Sequence, residues 1–323
     1  MAFSMAAMHN RVVLLATLRC FCLACVIPDM HCVERDMPRN VKYLGGVGER
    51  GLGMELRHYR EEARMSCAQV GAVLGWSANT ISRLERGLRP DTTAEEVSAI
   101  VAAVGVTGPD RDRVMRMAKG YREQGWWEGN KTHLTDQART YLKFEARATR
   151  IIDVEPLLVP GLLQTADYCR ALMAAFGVEV REIEGRIARR LGRQAILTRP
   201  DPAEFVFIVS ELMLRQPVGG ATVMARQVRR IIEDAERPGV TVLMVPAKMA
   251  AHPGLHGAYI VLEFADEPAV VHIEGRMSGM FPENPDEVAA YRLAAERLID
   301  LTLGEQESLQ VLHAIAEDLE RAR

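Results

Sequence analysis

The chain lacks the short signatures of the common catalytic sites. It has no G-x-S-x-G nucleophile elbow, no H-E-x-x-H zinc pair and no phosphate-binding P-loop. It also lacks a secreted disulfide framework. Of its six cysteines, four (Cys20, Cys22, Cys25, Cys32) crowd the first 32 residues, and Cys67 and Cys169 stand alone in helical contexts. That usage points to a reducing, cytoplasmic setting. No uninterrupted apolar run reaches the roughly 20 residues of a membrane span. The longest, Val12–Ile27, carries Arg19 at its centre and has no small-residue cleavage site after it. Bulk positive charge is missing too. The net charge is −3 over 323 residues, so the whole molecule is not a polyanion binder by charge alone.

What is present is enough chain for two domains, with 48% hydrophobic and 26% charged residues. Charge is uneven: residues 51–90 hold six Arg against four Glu, a segment of +2 on an acidic chain. A mildly basic module of this kind suits contact with DNA through one face. Residues 1–46 read as a disordered extension, or as translation from a start codon upstream of the true one, with Met30, Met37 and Met54 as internal alternatives. The C-x-C-x2-C run and His31-Cys32 offer soft-metal donors, but no second Cys/His pair follows at zinc-finger spacing, so neither metal nor cofactor is expected.

The most informative stretch is Ser66–Gly87, S-C-A-Q-V-G-A-V-L-G-W-S-A-N-T-I-S-R-L-E-R-G. Ser66 and Ser77 are each placed to cap a short helix. Gly75 falls where the chain must reverse, and Gly87 sits where the second helix ends. Val70, Val73 and Leu74 predict the inner face of the first helix, Ile81 and Leu84 that of the second. This is a helix-turn-helix pattern. A preceding helix over 52–64 (Leu52, Leu56, Tyr59 and Ala63 inward) and a following one over 93–104 (Val97, Ile100, Val101 and Val104 inward) complete a bundle over 51–105, with Pro90 as a breaker between. Trp76 in the turn is expected to pack against the bundle.

In that geometry Ala78, Asn79 and Arg83 face base edges. Asn79 suits adenine N6/N7 and Arg83 suits guanine O6/N7. Ser77, Thr80 and Arg86 are placed for phosphates. Dimerisation is expected, because one module covers little DNA and operators are usually palindromic.

These residues resemble the Xre family, the helix-turn-helix fold of lambdoid phage repressors and Cro. The resemblance rests on L-x-x-L-R-x-x-R-E followed by S-x-x-x-V-x-x-x-L-G-W-S-x-x-T-I-S-R-L-E-R-G. It implies that Arg60 pairs with Glu85 to hold the second helix on its scaffold. It also exposes a departure: the family's usual Gln after the capping Ser, a DNA-backbone contact, is Cys67 here. Gln69 is a partial substitute two residues on.

The rest reads as a linker helix and Trp loop over 109–130, containing Trp126-Trp127, and an α+β domain over 131–323. Helices are predicted over 133–152, 164–176, 182–197, 218–236, 285–303 and 305–323. Strand patterns fall over 205–209, 211–214, 240–245, 258–264 and 269–274, a sheet of about four strands. The Arg row at 186, 189, 190 and 193 reads as a solvated face, and His252, His256 and His272 as loop and edge-strand polar residues rather than a catalytic set. The motifs E-P-L-L-V-P-G-L-L-Q-T-A-D-Y (155–168), R-x-x-R-R-x-x-R-Q-x-I-L (186–197), P-V-G-G (217–220), V-T-V-L-M-V-P (240–246) and the Pro282–Tyr291 segment resemble the C-terminal domain of unknown function that follows Xre modules in actinobacterial regulators. That resemblance implies an antitoxin-like regulator, not an enzyme, with a small acidic partner protein encoded nearby. The competing reading is a protein-interaction module whose DNA binding is weak or degenerate, prompted by Cys67 and Ala78.

Overall fold

A computed structural model describes residues 46–89, 91–120, 136–200, 202–275 and 279–322. The expectations for the N-terminal extension, Pro90, Trp126-Trp127 and the helix start at His133 lie outside these residues. The first five helices are α1 (Val47–Glu62), α2 (Cys67–Leu74), α3 (Ala78–Glu85), α4 (Ala94–Ala103) and α5 (Gly108–Gly120). Their starts are written locally. The hydroxyls of Ser66, Ser77 and Thr93 accept from the backbone N–H of Gln69, Thr80 and Glu96, donors with no partner inside the helix. Leu52, Leu56, Tyr59, Val70, Ile81, Leu84, Val97, Ile100, Val101, Val114 and Met117 close a common core. Trp76 packs on its edge.

Two expected inward residues point out. Ala63 is exposed because α1 stops at Glu62 and Ala63 is already the cap. Val73 is 63% exposed. In so short a helix Val70 and Gly71 set the inner arc, and Val73 falls roughly 60° to the other side of Val70.

The second part begins with α6 (Asp136–Arg147) and β1 (Arg150–Glu155). Then come α7 (Ala166–Ala175), α8 (Val180–Arg193), β2 (Glu204–Ser210), α9 (Glu211–Leu214), α10 (Ala221–Ala235), β3 (Val240–Val245), β4 (Tyr259–Glu263), β5 (Val270–Glu274), β6 (Gly279–Met280), α11 (Pro285–Leu301) and α12 (Glu305–Arg321). The fold is α+β, as expected, but the sheet has six strands in the order β3-β2-β1-β4-β5-β6. β1, β2 and β3 run parallel, with helices in the crossovers, while β4, β5 and β6 continue antiparallel on the other side of β1.

The helix predicted over 133–152 is therefore corrected. It ends at Arg147, and Arg150–Glu155 is the strand between β2 and β4. Ile151, Ile152 and Val154 are β-branched and buried on alternating faces, which sheet pairing rewards more than another helical turn. Residues 211–214, read among the strand patterns, form the helix α9. The helix over 182–197 divides into α8 and a 3₁₀ turn, Gln194–Thr198. Arg193, expected on a solvated face, turns inward to Glu145, and His272, expected at a loop or edge strand, is buried on β5 between β4 and β6, because α6 packs over both.

The sheet is covered on both faces. Phe205, Phe207, Val242 and Met244 pack with residues of α7, α10 and α12, while Ile152, Val206, Ile208, Val261 and Val271 pack against Ala295 and Leu298 of α11. β3 is an edge strand but not an open edge. Leu303 N–H donates to the Met244 carbonyl at 2.9 Å, and Ser308 Oγ accepts from Met244 N–H at 3.0 Å.

Helix α1 belongs to both parts. Leu52, Leu56 and Tyr59 enter the small bundle, whereas Val47 and Met54 join the core of the sheet domain beside Phe144. Arg50 is 4% exposed. It bonds Glu267 at 2.7 Å and the Pro268 carbonyl at 3.2 Å, with its guanidinium over Phe144 and Phe264. Glu55 is clasped by Arg113 of α5 at 2.9 Å and Lys143 of α6 at 2.8 Å. Burial alone would raise the Glu55 carboxyl, but the Arg113 hydrogen bond and the Lys143 charge outweigh it and hold it below its ordinary range.

Candidate nucleic-acid interface

The turn between α2 and α3 is built on two glycines. Gly75 takes the left-handed conformation (φ 71°) that reverses the chain, which a side chain would strain. Gly71 lets the helices approach: a Cβ there would lie 2.5 Å from the Trp76 carbonyl oxygen. Nothing in the helical spacing marks Gly71; a glycine inside an eight-residue helix is the only signal. At the far end of α3, the Leu88 N–H returns to the Arg83 carbonyl at 2.8 Å and the Gly87 N–H to that of Leu84 at 3.0 Å, a Schellman closure.

Behind α3 stands the expected ion pair. Arg60 Nε and Nη2 meet Glu85 Oε1 and Oε2 at 2.6 and 2.8 Å, and Arg60 Nη1 donates to the Met65 carbonyl at 2.8 Å. The side chains are only 12% and 5% exposed, so this is a bidentate, largely desolvated clasp rather than a loose surface pair. The Glu85 hydrogen bond raises the Arg60 pKa above its ordinary value. With Ile81 and Leu84 buried beside it, the clasp sets which side of α3 faces out.

That outward side carries Asn79, Arg83 and Arg86, spaced four and three residues apart, with Ala78 beside them; all four are exposed. Ser77 Oγ and Thr80 Oγ1 lie 2.9 Å apart, and Ser77 also caps the helix. Among the described residues, Arg83 and Arg86 reach only backbone carbonyls, of Leu88 and Ser82, each at 3.3 Å. Gln69 lies on the exposed side of α2, where its carbonyl oxygen accepts from the Ser66 N–H at 2.7 Å to close a capping box. The Cys67 thiol turns inward, 3.8 Å from Glu85 Oε2, and burial and then the Glu85 charge push its pKa up.

The electrostatics follow from which acids are already engaged. Glu55, Glu61, Glu85 and Glu96 are paired with Arg113 and Lys143, Arg57, Arg60, and Arg89. Arg83 and Arg86 form no ion pair among the described residues. Arg83 and Arg86 thus leave positive charge on the exposed stripe of α3, next to the partial positive charge of that helix's N-terminus.

Sequence reasoning did not find Arg50 and Lys143, which join the bundle to the sheet domain, or Arg113, which pairs with Glu55 within the bundle. A charged side chain on a helix is ordinarily read as solvated, and only the packing of α1 between two cores buries them. Among the described residues no helix is long and apolar enough to cross a membrane.

Comparison with protein families agrees with this architecture. The family model described as "Helix-turn-helix domain" matches residues 52–114, and the one described as "Domain of unknown function (DUF5753)" matches residues 138–314, more than half of the chain. Searches of curated proteins and of solved structures find no match. The helix-turn-helix match supports a DNA-binding regulator, and by the extent of the second match the chain belongs to the DUF5753 family.

Proposed function

We propose that the chain is a sequence-specific transcriptional regulator of the Xre type, with α3 in the major groove and the sheet domain sensing a signal. The observation that carries this reading is the Arg60–Glu85 clasp behind the exposed Asn79–Arg83–Arg86 stripe. A reading helix must be held rigidly on one side and left free on the other. Asn79 bonds adenine and Arg83 bonds guanine, while Ser77, Thr80, Arg86 and Gln69 meet phosphates and Ala78 leaves room for close approach. Two copies of the chain occupy a palindromic operator. The role is binding, not catalysis.

Fluorescence-anisotropy titration of the full chain against DNA from upstream of its own gene tests the assignment. Asn79→Ala and Arg83→Ala should each cost about 1–3 kcal/mol on the specific site. Arg86→Ala should weaken all sequences alike and reduce the salt slope by about one. Unchanged affinity in both of the first two variants would remove the reading role of α3.

The inward Cys67 thiol favours a second reading, because it leaves the start of α2 without an outward polar side chain at that position. In that reading DNA binding is weak and the sheet domain captures a small acidic protein partner. A full chain with no measurable operator affinity, and a stoichiometric partner in a co-purification, would favour it.

A further inference from the structure

A polar cluster that DNA reading does not use is buried beneath α6. Asp153 on β1, Ile260 on β4 and His272 on β5 are neighbours in register and project from one face of the sheet. Asp153 and His272 are 3% and 8% exposed. Tyr141 and Glu145 of α6 and Arg193 of α8 close over them. Tyr141 Oη donates to Glu145 Oε1 at 2.6 Å, Arg193 Nε lies 3.0 Å from Glu145 Oε2, and the Tyr141 and His272 rings stand 4.5 Å apart. Inside this shell Asp153 Oδ1 and His272 Nδ1 have no hydrogen-bond partner among the described residues. Buried polar atoms left unpaired are costly and call for an explanation.

The carboxyl groups here also outnumber their ion pairs, since only Glu145 is in one among the described residues. Glu145, Asp153, half-buried Glu155 and exposed Glu274 face Arg193 and Arg190. Arg193 is taken by Glu145, and Arg190 bonds the Gln164 side chain. Asp153 and Glu155, two residues apart on the same face of β1, form no ion pair among the described residues. Burial pushes both carboxyls up, and burial, followed by the nearby Arg193 charge, lowers the His272 pKa to about 4, so the imidazole adds no positive charge near neutral pH. The cluster also has a telling place in the topology. From β1 the sheet grows to one side through β2 and β3, then to the other through β4, β5 and β6. The carboxyl end of β1 lies at this reversal, the position where open sheets hold ligands.

We propose that the carboxyl end of β1 binds a small molecule carrying an ammonium group, with Asp153 and Glu155 as its acceptors and Tyr141 and His272 as its wall. The proposal deepens, and rests on, the reading of the sheet domain as a sensor. An ammonium supplies three N–H donors for the unpartnered Asp153 Oδ1 and for Glu155, and a positive charge for two carboxyls that form no ion pair among the described residues. No group of three metal-ligating side chains occurs among the described residues, which favours an organic cation over a metal ion. Two carboxyls on alternate strand residues stand roughly 7 Å apart at the backbone, which also accommodates a short diamine. The signal has a path to the DNA module: α6 presents Tyr141 and Glu145 to the cluster and Lys143 to Glu55 of α1.

The test is isothermal titration of the full chain, free of DNA, with 1,4-diaminobutane at pH 7 in two buffers of different ionisation enthalpy. The expected result is saturable one-site binding with net proton release, as the ammonium displaces protons from the carboxyls. Asp153→Asn and, at the half-buried rim where folding is not at risk, Glu155→Gln should each weaken binding about tenfold or more, and the exposed Glu179→Gln should not. Absence of saturable binding, absence of proton release, or wild-type affinity in Glu155→Gln would overturn the proposal. Arg83→Ala should lose operator binding and keep diamine binding, so failure of the amine site and failure of the DNA-reading role are separate results.

Discussion

The DNA module and the centre of the sheet both bury charge, and they treat it in opposite ways. In the module and at its junction, buried charged groups have opposite partners: Arg60 has Glu85, Glu55 has Arg113 and Lys143, and Arg50 has Glu267. Arg83 and Arg86, which form no ion pair among the described residues, are outside. At the carboxyl end of β1 the reverse holds, since Asp153 is inside and forms no ion pair among the described residues. Paired burial makes a rigid scaffold for a surface that reads something large. Unpaired burial makes a place that a small partner can complete. The two regions accordingly shift carboxyl pKa values in opposite directions, Glu55 down and Asp153 up.

The contrast can be broken most forcefully at Arg60. Arg60→Ala leaves Glu85 buried without its partner and should cost about 3–5 kcal/mol in denaturant unfolding of the full chain. The double variant Arg60→Met, Glu85→Leu should recover most of it, because the penalty comes from the orphaned charge. A cost below about 1 kcal/mol would place the pair among ordinary surface contacts.

Next is the pH dependence of the β1 cluster. His272 is held neutral, with its pKa lowered to about 4 against an ordinary 6.5, so the unfolded chain binds this proton more readily between those values. Stability should therefore fall as pH drops from 6.5 towards 4, by up to about 3 kcal/mol from this group. His272→Gln should flatten that arm. Asp153 has the opposite sign: its carboxyl is raised, so the folded chain holds the proton and stability falls as pH rises above the ordinary value of 3.8. Asp153→Asn should remove that arm. Glu55, held low, contributes stability above its ordinary 4.5 that is lost as pH falls through its folded value, and Glu55→Gln should remove this separate acid-side loss. Unfolding curves from about pH 2 to 8 for the three variants read these signs directly.

Arg50→Ala should cost about 2 kcal/mol, since it removes the Glu267 bond and the stacking on Phe144 and Phe264 while Arg147 remains as a partner for Glu267. If the junction couples the two parts, the variant should also separate one unfolding transition into two by calorimetry. The smallest effect on stability belongs to the reading stripe. Asn79→Ala and Arg83→Ala should change unfolding by no more than about 0.5 kcal/mol, because both side chains are exposed and unpaired with acid. A large loss of stability in either would mean the stripe serves the fold.

The helix-turn-helix was legible because its signals are local. Ser66, Ser77, Gly75 and Gly87 act on the backbone within a few residues of themselves, and each does in the structure what its residue type does in a short peptide. The partner of Arg60 was legible only through family resemblance, since the two residues are 25 apart in sequence. Strand β1 was misread because Ile151-Ile152-Asp153-Val154 follows an amphipathic helix without a glycine or proline to mark the change. Its pairing partners lie some 50 residues on in β2 and 110 in β4.

The amino-acid sequence by itself determined the short helices, their caps and the turn between them, because those rest on interactions within one or two turns of chain. It also determined that Asn79, Arg83 and Arg86 share a side, from helical spacing alone. Only the tertiary structure decided that α1 serves two cores, that Arg50 and Glu55 are buried junction residues, and that Asp153 and His272 lie in one row across the sheet, on either side of Ile260. Burial and register depend on which distant segments pack together, and that information is held by the whole chain rather than by any stretch of it.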